Sequence, residues 1–121
     1  MDEGATFGGQ GDYMELGQLQ ERLDAELVAY RDAGCQLAKN EAKYRMALAM
    51  AILKERERGT PVTVISDICR GDPAIANLKL RRDTAEQLRD SSREAINAIK
   101  LRIRIVNDQI NREWSATPIT G

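Results

Sequence analysis

Two long segments of this chain have the spacing of amphipathic helices, and only a short segment rich in turn residues separates them. Apolar residues recur every three or four positions from Leu16 to Ile52 in the first segment, and from Leu78 to Trp114 in the second. Each segment is far longer than an average helix of a globular protein. The chain is therefore predicted to be all-α, with two long helices that pack against each other.

Glycine, proline and capping residues set the predicted helix boundaries. Gly59 and Pro61 end the first helix, and Gly71 ends a short second helix for which Thr60 is the predicted N-cap. Asp72 is the predicted N-cap of a third helix that opens with proline. The predicted domain is an antiparallel, coiled-coil-like helical hairpin over 13–114, with a short helix at its tip and helices at 13–58, 61–70 and 73–114.

The net charge of −1 conceals an uneven distribution of charges along the chain. Residues 1–42 hold nine acidic and three basic side chains, whereas residues 43–121 hold ten acidic and fifteen basic ones. The two long helices have nearly equal predicted lengths, so an antiparallel hairpin places Glu15 beside Arg112. We therefore expect the acidic start of the hairpin to compensate its basic end through ion pairs between the helices.

The two ends of the chain have compositions that are typical of tails. Residues 1–12 contain four glycines among small and acidic residues, and residues 115–121 are small or polar apart from one isoleucine. Such segments bury too little apolar area to offset the entropy of ordering. Flexible tails are therefore predicted at 1–12 and 115–121.

Both long helices also carry apolar residues outside the face that the hairpin covers. With 31% charged and 4% aromatic residues, the chain has little material for a large core of its own. We therefore expect a homo-oligomer, specifically a dimeric four-helix bundle. The alternative is irregular apolar decoration of a solvated helix. The predicted oligomer interface consists of Val28, Ala42, Met46, Ala49, Leu101 and Ile105.

Basic residues are concentrated around the predicted tip. Three helices that meet there resemble a helix-turn-helix in outline, which would bring the start of the third helix to a phosphate backbone. Acidic residues alternate with the basic ones, however, and no aromatic side chain is placed to stack on a base. A solvated tip with internal salt bridges is therefore the alternative. The predicted nucleic-acid contacts are Arg58, Arg70, Lys79 and Arg82.

The sequence lacks the residue patterns of an active site or a metal centre. It contains no histidine and no paired-cysteine motif, and its tip carboxylates follow no known ligand spacing. We therefore expect no catalytic residue, no cofactor and no metal, and we expect the protein not to be an enzyme.

The two cysteines, Cys35 and Cys69, are predicted to lie too far apart along the hairpin for a disulfide. The sequence shows no signal peptide, and its longest apolar run, Met46 to Leu53, is too short to cross a bilayer. These features predict a reduced, cytoplasmic setting in a host cell without membrane attachment.

Several short motifs carry a resemblance to known proteins. They are the run from Tyr-Arg-Met-Ala-Leu-Ala at 44–49 through Ile-Leu at 52–53, Gly-Thr-Pro-Val-Thr at 59–63, Ile-Ser-Asp at 65–67, Arg-Gly-Asp at 70–72, Arg-Asp-Thr-Ala-Glu at 82–86 and Gln-Ile-Asn-Arg-Glu-Trp at 109–114. Over about residues 14–114 the chain resembles small helical proteins of unassigned function from phages and prophages of Gram-positive bacteria. Their genes often stand near those for single-strand annealing and single-stranded-DNA-binding proteins.

The resemblance implies an accessory role in phage DNA recombination or replication, with a phage or host DNA-metabolism protein as partner. It supplies no catalytic residue, and the glycine-rich start of the chain lies outside the pattern. Two other functions fit the same helices. One is an inhibitor that binds a host or defence protein through a helical face, and the other is a structural coiled-coil spacer.

Overall fold

A computed structural model describes residues 8–116, which form three helices: α1 (Gly8–Glu57), α2 (Val62–Arg70) and α3 (Pro73–Ala116). The prediction of an all-α chain in which one long helix packs against another is confirmed. The described residues divide into two compact units. One joins 8–29 of α1 to 92–116 of α3, and the other is Tyr30–Ser91, which contains the turn and α2.

The C-terminus of α1 is closed by a glycine in the left-handed conformation. Gly59 has a φ of +82°, and its N–H donates to the carbonyl of Arg56 at 3.0 Å. The N–H of Thr60 donates to the carbonyl of Glu55 at 3.1 Å. These two bonds form a Schellman motif, which satisfies carbonyls that the helix end would otherwise leave without donors. α1 therefore ends within one residue of the predicted position.

The start of α2 differs from the prediction. Pro61, with φ −57° and ψ 134°, precedes the helix as its N-cap residue, and no side chain caps the helix. The Thr60 hydroxyl, which was the predicted cap, donates instead to the Glu55 carboxylate at 2.9 Å. α2 consequently begins at Val62. It ends as predicted before Gly71, although Gly71 has a right-handed φ of −81°.

The start of α3 follows the predicted capping chemistry. The Asp72 carboxylate accepts hydrogen bonds from the backbone N–H groups of Ala74 at 2.9 Å and Ile75 at 3.3 Å. Pro73 occupies the first helical position, where its missing N–H leaves no bond unmade. The N-terminus of α3 is therefore fixed by the local sequence.

Replacing Asp72 with alanine is expected to lower the free energy of unfolding by about 1 kcal/mol, because two backbone donors lose their acceptor. Asparagine at the same position should retain most of the stability, since its side-chain oxygen can accept the same bonds. Chemical denaturation of the two variants beside the wild type measures the difference. Equal stability of the alanine variant and the wild type would contradict the capping role.

In the unit of residues 8–29 and 92–116, an apolar core forms between α1 and α3. Leu19, Ile99, Val106 and Ile110 are buried, and Val106 is 0% exposed. Leu16, Leu23 and Ile103 pack against this cluster. The inward residues of α3 recur at alternating steps of three and four, which is the heptad spacing of helices that pack along their length. In this unit they are Ser92, Ile96, Ile99, Ile103, Val106, Ile110 and Glu113.

In the unit Tyr30–Ser91, the same spacing continues but passes through polar residues. The buried or half-buried positions of α3 include Arg82 and Arg89 beside the apolar Ile75, Leu78 and Ala85. The chain runs antiparallel here, since Ile75 shares a groove with Ala47 and Ala51 while Arg82 bonds to Glu41. The inward residues of α1 in this unit are Tyr30, Ala33, Leu37, Asn40, Tyr44, Ala47 and Ala51.

The register of α1 and α3 differs from the one that equal helix lengths predicted. Glu15 bonds to Arg102 rather than lying beside Arg112. Within Tyr30–Ser91, Ile68 and Cys69 of α2 share a groove with the last two turns of α1. Because α2 lies against these turns, α3 begins about two helical turns (~10 Å) before the end of α1.

Three residues of the apolar series that predicted the long helices are exposed: Leu27, Leu88 and Trp114. They fit the 3.6-residue period of a single helix but fall outside the 3.5-residue heptad that the packed helices follow. The predicted tail at 1–12 extends too far along the chain, since α1 already starts at Gly8 and Asp12 is buried. Similarly, α3 continues to Ala116. The remaining predicted tail residues, 1–7 and 117–121, lie outside the described residues.

Candidate interaction surfaces

Arg82 is the centre of a polar cluster in the unit Tyr30–Ser91. Its guanidinium bonds to Glu41 of α1 at 3.0 Å and to Asp83 at 2.8 Å, and it lies over the ring of Tyr44, 5.1 Å from the centroid. One helical position earlier, the side-chain amide of Asn40 donates to the carbonyl of Arg81 at 3.3 Å. These contacts join α1 to α3 through polar bonds. At this point along the two helices the inward positions are not both apolar, so polar bonds replace apolar packing.

The charges of this cluster shift the pKa values of its members. Hydrogen bonds from Arg45 and then from Arg82 hold the pKa of Glu41 below its ordinary value. Bonds from Arg82 and then from Lys79 lower the pKa of Asp83, and both carboxylates raise the pKa of Arg82, Asp83 more than Glu41. The charge of Arg82 is therefore offset by two carboxylates.

The lowered pKa of Glu41 predicts a dependence of stability on pH. Its contribution is fully present above the ordinary pKa of 4.5 and is lost as the pH falls through the lowered value. We expect the melting temperature of the wild type to fall more between about pH 5 and pH 3 than that of Glu41→Gln, which lacks the ionised carboxylate. Glu94→Gln, at an exposed position of α3, serves as control and should follow the wild type. Parallel pH profiles of the wild type and Glu41→Gln would contradict the role of this ion pair.

The other predicted nucleic-acid contacts lie around the turn. Arg58 bonds to the Glu55 carboxylate at 3.1 Å, and Lys79 bonds to Asp83 at 3.0 Å. Arg70 is exposed in the last turn of α2, where a positive charge is favoured by the helix dipole. Together with Arg82, three of the four predicted contacts thus have a carboxylate partner. This arrangement favours the alternative of a solvated tip with internal salt bridges.

The six predicted interface residues are all exposed in the single chain. Ala42, Met46 and Ala49 lie on the face of α1 that points away from α3 within the unit Tyr30–Ser91. In the other unit, Val28 lies on the outward face of α1, and Leu101 and Ile105 lie on the outward face of α3. Because outward faces of two paired helices point in opposite directions, one partner helix cannot cover Val28 and Leu101 together.

A groove at the end of α1 was not predicted from the sequence. It has a volume of about 420 Å³ and an apolar floor that includes Met50, Ile68 and Ile75, with Lys54 and Arg58 at its edge. Met50 and Ile68 are more than 45% exposed. The apolar residues of α2 were visible in the sequence. Which residues of α1 they share a groove with depends on the tertiary structure.

A second groove, of about 490 Å³, lies beside the Arg82 cluster. Gly34 forms part of its wall, and a Cβ atom added there would have no atom of another part of the chain within 4 Å. Glu86 and Arg89 line the same groove with Leu37 and Ala38. The lining of this groove combines charges of both signs from α1 and α3. These residues form no sequence motif, so the groove could not be predicted from the sequence.

The described residues form neither a metal cluster nor a membrane-spanning helix. Within 8–116, no group of three or more cysteine and carboxylate side chains is placed to hold a metal ion. Of the three described helices, none combines the length and apolar character needed to cross a bilayer. Cys35 is exposed and Cys69 is buried, and both are free thiols.

Comparison with known proteins assigns no family. The chain matches no family model, no curated protein and no solved structure. The structure thus defines the class, an all-α protein of two long packed helices with a short third helix at the turn.

Proposed function

We propose that this chain is a non-enzymatic binding protein that acts as an assembly partner in phage DNA recombination or replication. The observation that supports binding is the exposure of large apolar side chains on outward helix faces. Met46 is 67% exposed, Leu53 56% and Leu101 53%. Solvated helices normally carry polar residues at such positions, and exposed apolar patches in soluble proteins mark contact surfaces.

The phage setting and the link to DNA rest on the resemblance of the short motifs. The paired charges at the tip support a role through protein contacts rather than through broad phosphate binding. A helical face can recognise another helix or a groove by a few apolar anchors at heptad spacing. The proposed partner is therefore a phage or host protein of DNA metabolism.

Affinity capture from phage-infected cells, with and without nuclease, tests this proposal. We expect a DNA-metabolism protein to be retained after nuclease treatment, because the proposed contact is between proteins. Met46→Glu as bait should lose it, since a charge would be placed in an apolar contact, while Lys43→Glu, at an exposed site on the same helix, should retain it. Capture of one host defence protein would replace the proposal with the inhibitor function. If no protein is captured, the structural coiled-coil spacer is the remaining function.

Direct nucleic-acid binding, if it contributes, is expected to involve the tip. Charge reversal at Arg58, Arg70 and Lys79 should then remove binding and its dependence on salt, because phosphate neutralisation releases counterions. Arg82 is left intact in this variant, since its bonds hold α1 to α3. Fluorescence anisotropy with labelled single- and double-stranded oligonucleotides, at low and physiological salt, measures the change.

The matched control for this prediction reverses three exposed basic residues of α3 that lie in the other unit: Lys100, Arg104 and Arg112. Circular dichroism verifies that both triple variants keep their helical content. Binding that survives the tip reversal but is lost in the control would place the contact in the other unit. A wild type that binds no oligonucleotide even at low salt would exclude direct nucleic-acid contact.

A further inference from the structure

One side of α3, in the unit of residues 8–29 and 92–116, carries a series of exposed residues that are nearly all polar. Each member directly follows one of the inward residues of α3, so the series is rotated by about 100° from the apolar core. The series runs along the helix for about 32 Å. We call it the α3 donor stripe, and it consists of Arg93, Asn97, Lys100, Arg104, Asn107, Asn111 and Trp114.

The α3 donor stripe has the composition of a surface that binds anions. Three of its side chains are cations, three are amides and the last is an indole, so every member carries an N–H donor. The carboxylates that α3 contributes to this unit all lie outside the stripe: Glu94, Asp108 and Glu113. A line of donors and cations without a carboxylate complements the repeated negative charges of a phosphate backbone.

Two cations in the middle of the stripe are available to a ligand. Among the described residues, the side chains of Lys100 and Arg104 have no hydrogen-bond or ion-pair partner. Arg58 and Lys79 at the tip, in contrast, each bond to a carboxylate of the chain. A phosphate that approaches Lys100 or Arg104 therefore has no internal carboxylate to displace.

The neighbouring face of α1 adds few negative charges to this side of the hairpin. Glu15 and Arg102 each directly precede an inward residue, and they bond to each other. Residues that directly follow inward residues therefore share the opposite side of the two helices. On α1 they are Tyr13, Gly17, Gln20, Asp24 and Leu27. Asp24 is the only carboxylate among them, and it accepts a hydrogen bond from Gln20 at 3.2 Å.

Trp114 gives the stripe a surface on which a base can stack. It is the only tryptophan of the chain and is 68% exposed, while Tyr13 on the same side is 54% exposed. Aromatic rings beside a row of cations are the means by which proteins bind the bases of single strands. The internal bases of a duplex already stack on one another, so the aromatic rings favour a single strand over a duplex.

We propose that a single-stranded nucleic acid binds along the α3 donor stripe, with Lys100 and Arg104 at its phosphates and Trp114 against a base. The three asparagine amides of the stripe donate to phosphate or base oxygens. This contact goes beyond the proposed function, which concerns protein partners. It also lies on a different surface from the contacts that the sequence predicted at the tip.

Tryptophan fluorescence tests the site directly, because Trp114 is the only tryptophan. Titration of the wild type with oligothymidylate at low salt should quench its emission, since a base stacks on the indole. A duplex of the same length should bind more weakly and quench less. No binding at low salt, binding with unchanged emission, or equally tight binding of the duplex would overturn the proposal.

Charge reversal tests the phosphate contacts. The double variant Lys100→Glu with Arg104→Glu should weaken oligothymidylate binding on the order of tenfold or more at low salt. The slope of log affinity against log salt should become shallower by about 1.4, since each phosphate contact of a single strand contributes about 0.7. Fluorescence anisotropy with a labelled oligothymidylate measures both quantities.

The matched control is the double variant Arg22→Glu with Arg112→Glu. It makes the same change in net charge at exposed residues of the same unit that lie outside the stripe. We expect it to retain most of the affinity and the wild-type salt slope, and circular dichroism verifies the helical content of both variants. Equal losses in the two variants would overturn the proposal, because binding would then depend on net charge alone.

Substitution of Trp114 tests the stacking contact. Trp114→Ala should weaken binding on the order of tenfold, whereas Trp114→Phe should retain most of the affinity, because phenylalanine still offers an aromatic face. The residue is exposed, so neither variant opens a cavity in the core. Anisotropy measures both affinities, and wild-type affinity of Trp114→Ala would overturn the proposed contact.

Two further comparisons separate this proposal from its rivals. Charge reversal at the tip, at Arg58, Arg70 and Lys79, should leave oligothymidylate binding intact. Loss of binding in that variant, with retention in the Lys100 and Arg104 variant, would overturn the proposal in favour of the tip. A chain that binds no oligothymidylate but captures a DNA-metabolism protein after nuclease treatment refutes this proposal alone. A chain that binds oligothymidylate but captures no protein refutes the proposed protein contact alone.

Discussion

Replacing Ile99 with alanine is expected to lower the free energy of unfolding by about 2–5 kcal/mol. Ile99 is 3% exposed and belongs to the apolar core between α1 and α3. The substitution removes three buried carbons and leaves a cavity, which closely packed neighbours on two helices can fill only in part. Urea denaturation followed by circular dichroism measures the change.

Ile105→Ala is the matched control for this prediction. Ile105 lies on the same helix but is 43% exposed on its outward face, so both variants make the same change in helix propensity and differ in burial. We expect the control to lose less than about 1 kcal/mol. Equal losses in the two variants would contradict the assignment of Ile99 to the inward face of α3.

The second large effect is expected at Gly59, which ends α1. Its φ of +82° is a conformation that costs an L-residue roughly 1–2 kcal/mol. Gly59→Val should therefore lower the free energy of unfolding by at least this amount, with a β-branched side chain adding to the strain. Apart from the two adjacent residues, no atom lies within 4 Å of a Cβ atom placed at Gly59. The loss would therefore report the strained backbone conformation.

Gly17→Ala provides a control with the opposite expected sign. Gly17 lies in the interior of α1, is exposed and has open space around it. Alanine should stabilise the helix there by roughly 0.5–1 kcal/mol, because glycine loses more conformational freedom on folding. Thermal melts compare the two variants. A stabilising effect at Gly59 would mean that the left-handed end of α1 has been misassigned.

Much of the candidate interaction surface was visible in the sequence, since all six predicted interface residues lie on outward faces. The sequence did not show that these residues lie on different faces, because that depends on which heptad series meets α3. The basic residues at the tip were predicted as nucleic-acid contacts. Their pairing with carboxylates was stated only as the alternative. Arg82 pairs with Glu41, a residue far away in the chain, and no local pattern indicates such a bond.

The amino-acid sequence by itself determined the helices and where they end. Apolar spacing specifies the helical segments, and Gly59 and Asp72 act through bonds to residues within a few positions along the chain. Pro73 acts at the first helical position, where no backbone donor is needed. Such local chemistry requires no knowledge of the rest of the molecule, which is why the predicted boundaries near the turn agree closely with the structure.

Only the tertiary structure decided the register and the polar contacts between the helices. α2 lies against the last turns of α1, so α3 starts further from the C-terminal end of α1 than equal helix lengths predicted. The packed helices then follow a 3.5-residue heptad, which leaves Leu27 and Leu88 exposed and brings Arg82 inward to Glu41 and Tyr44. These outcomes depend on contacts between segments distant in sequence, and an apolar pattern read along one helix does not contain them.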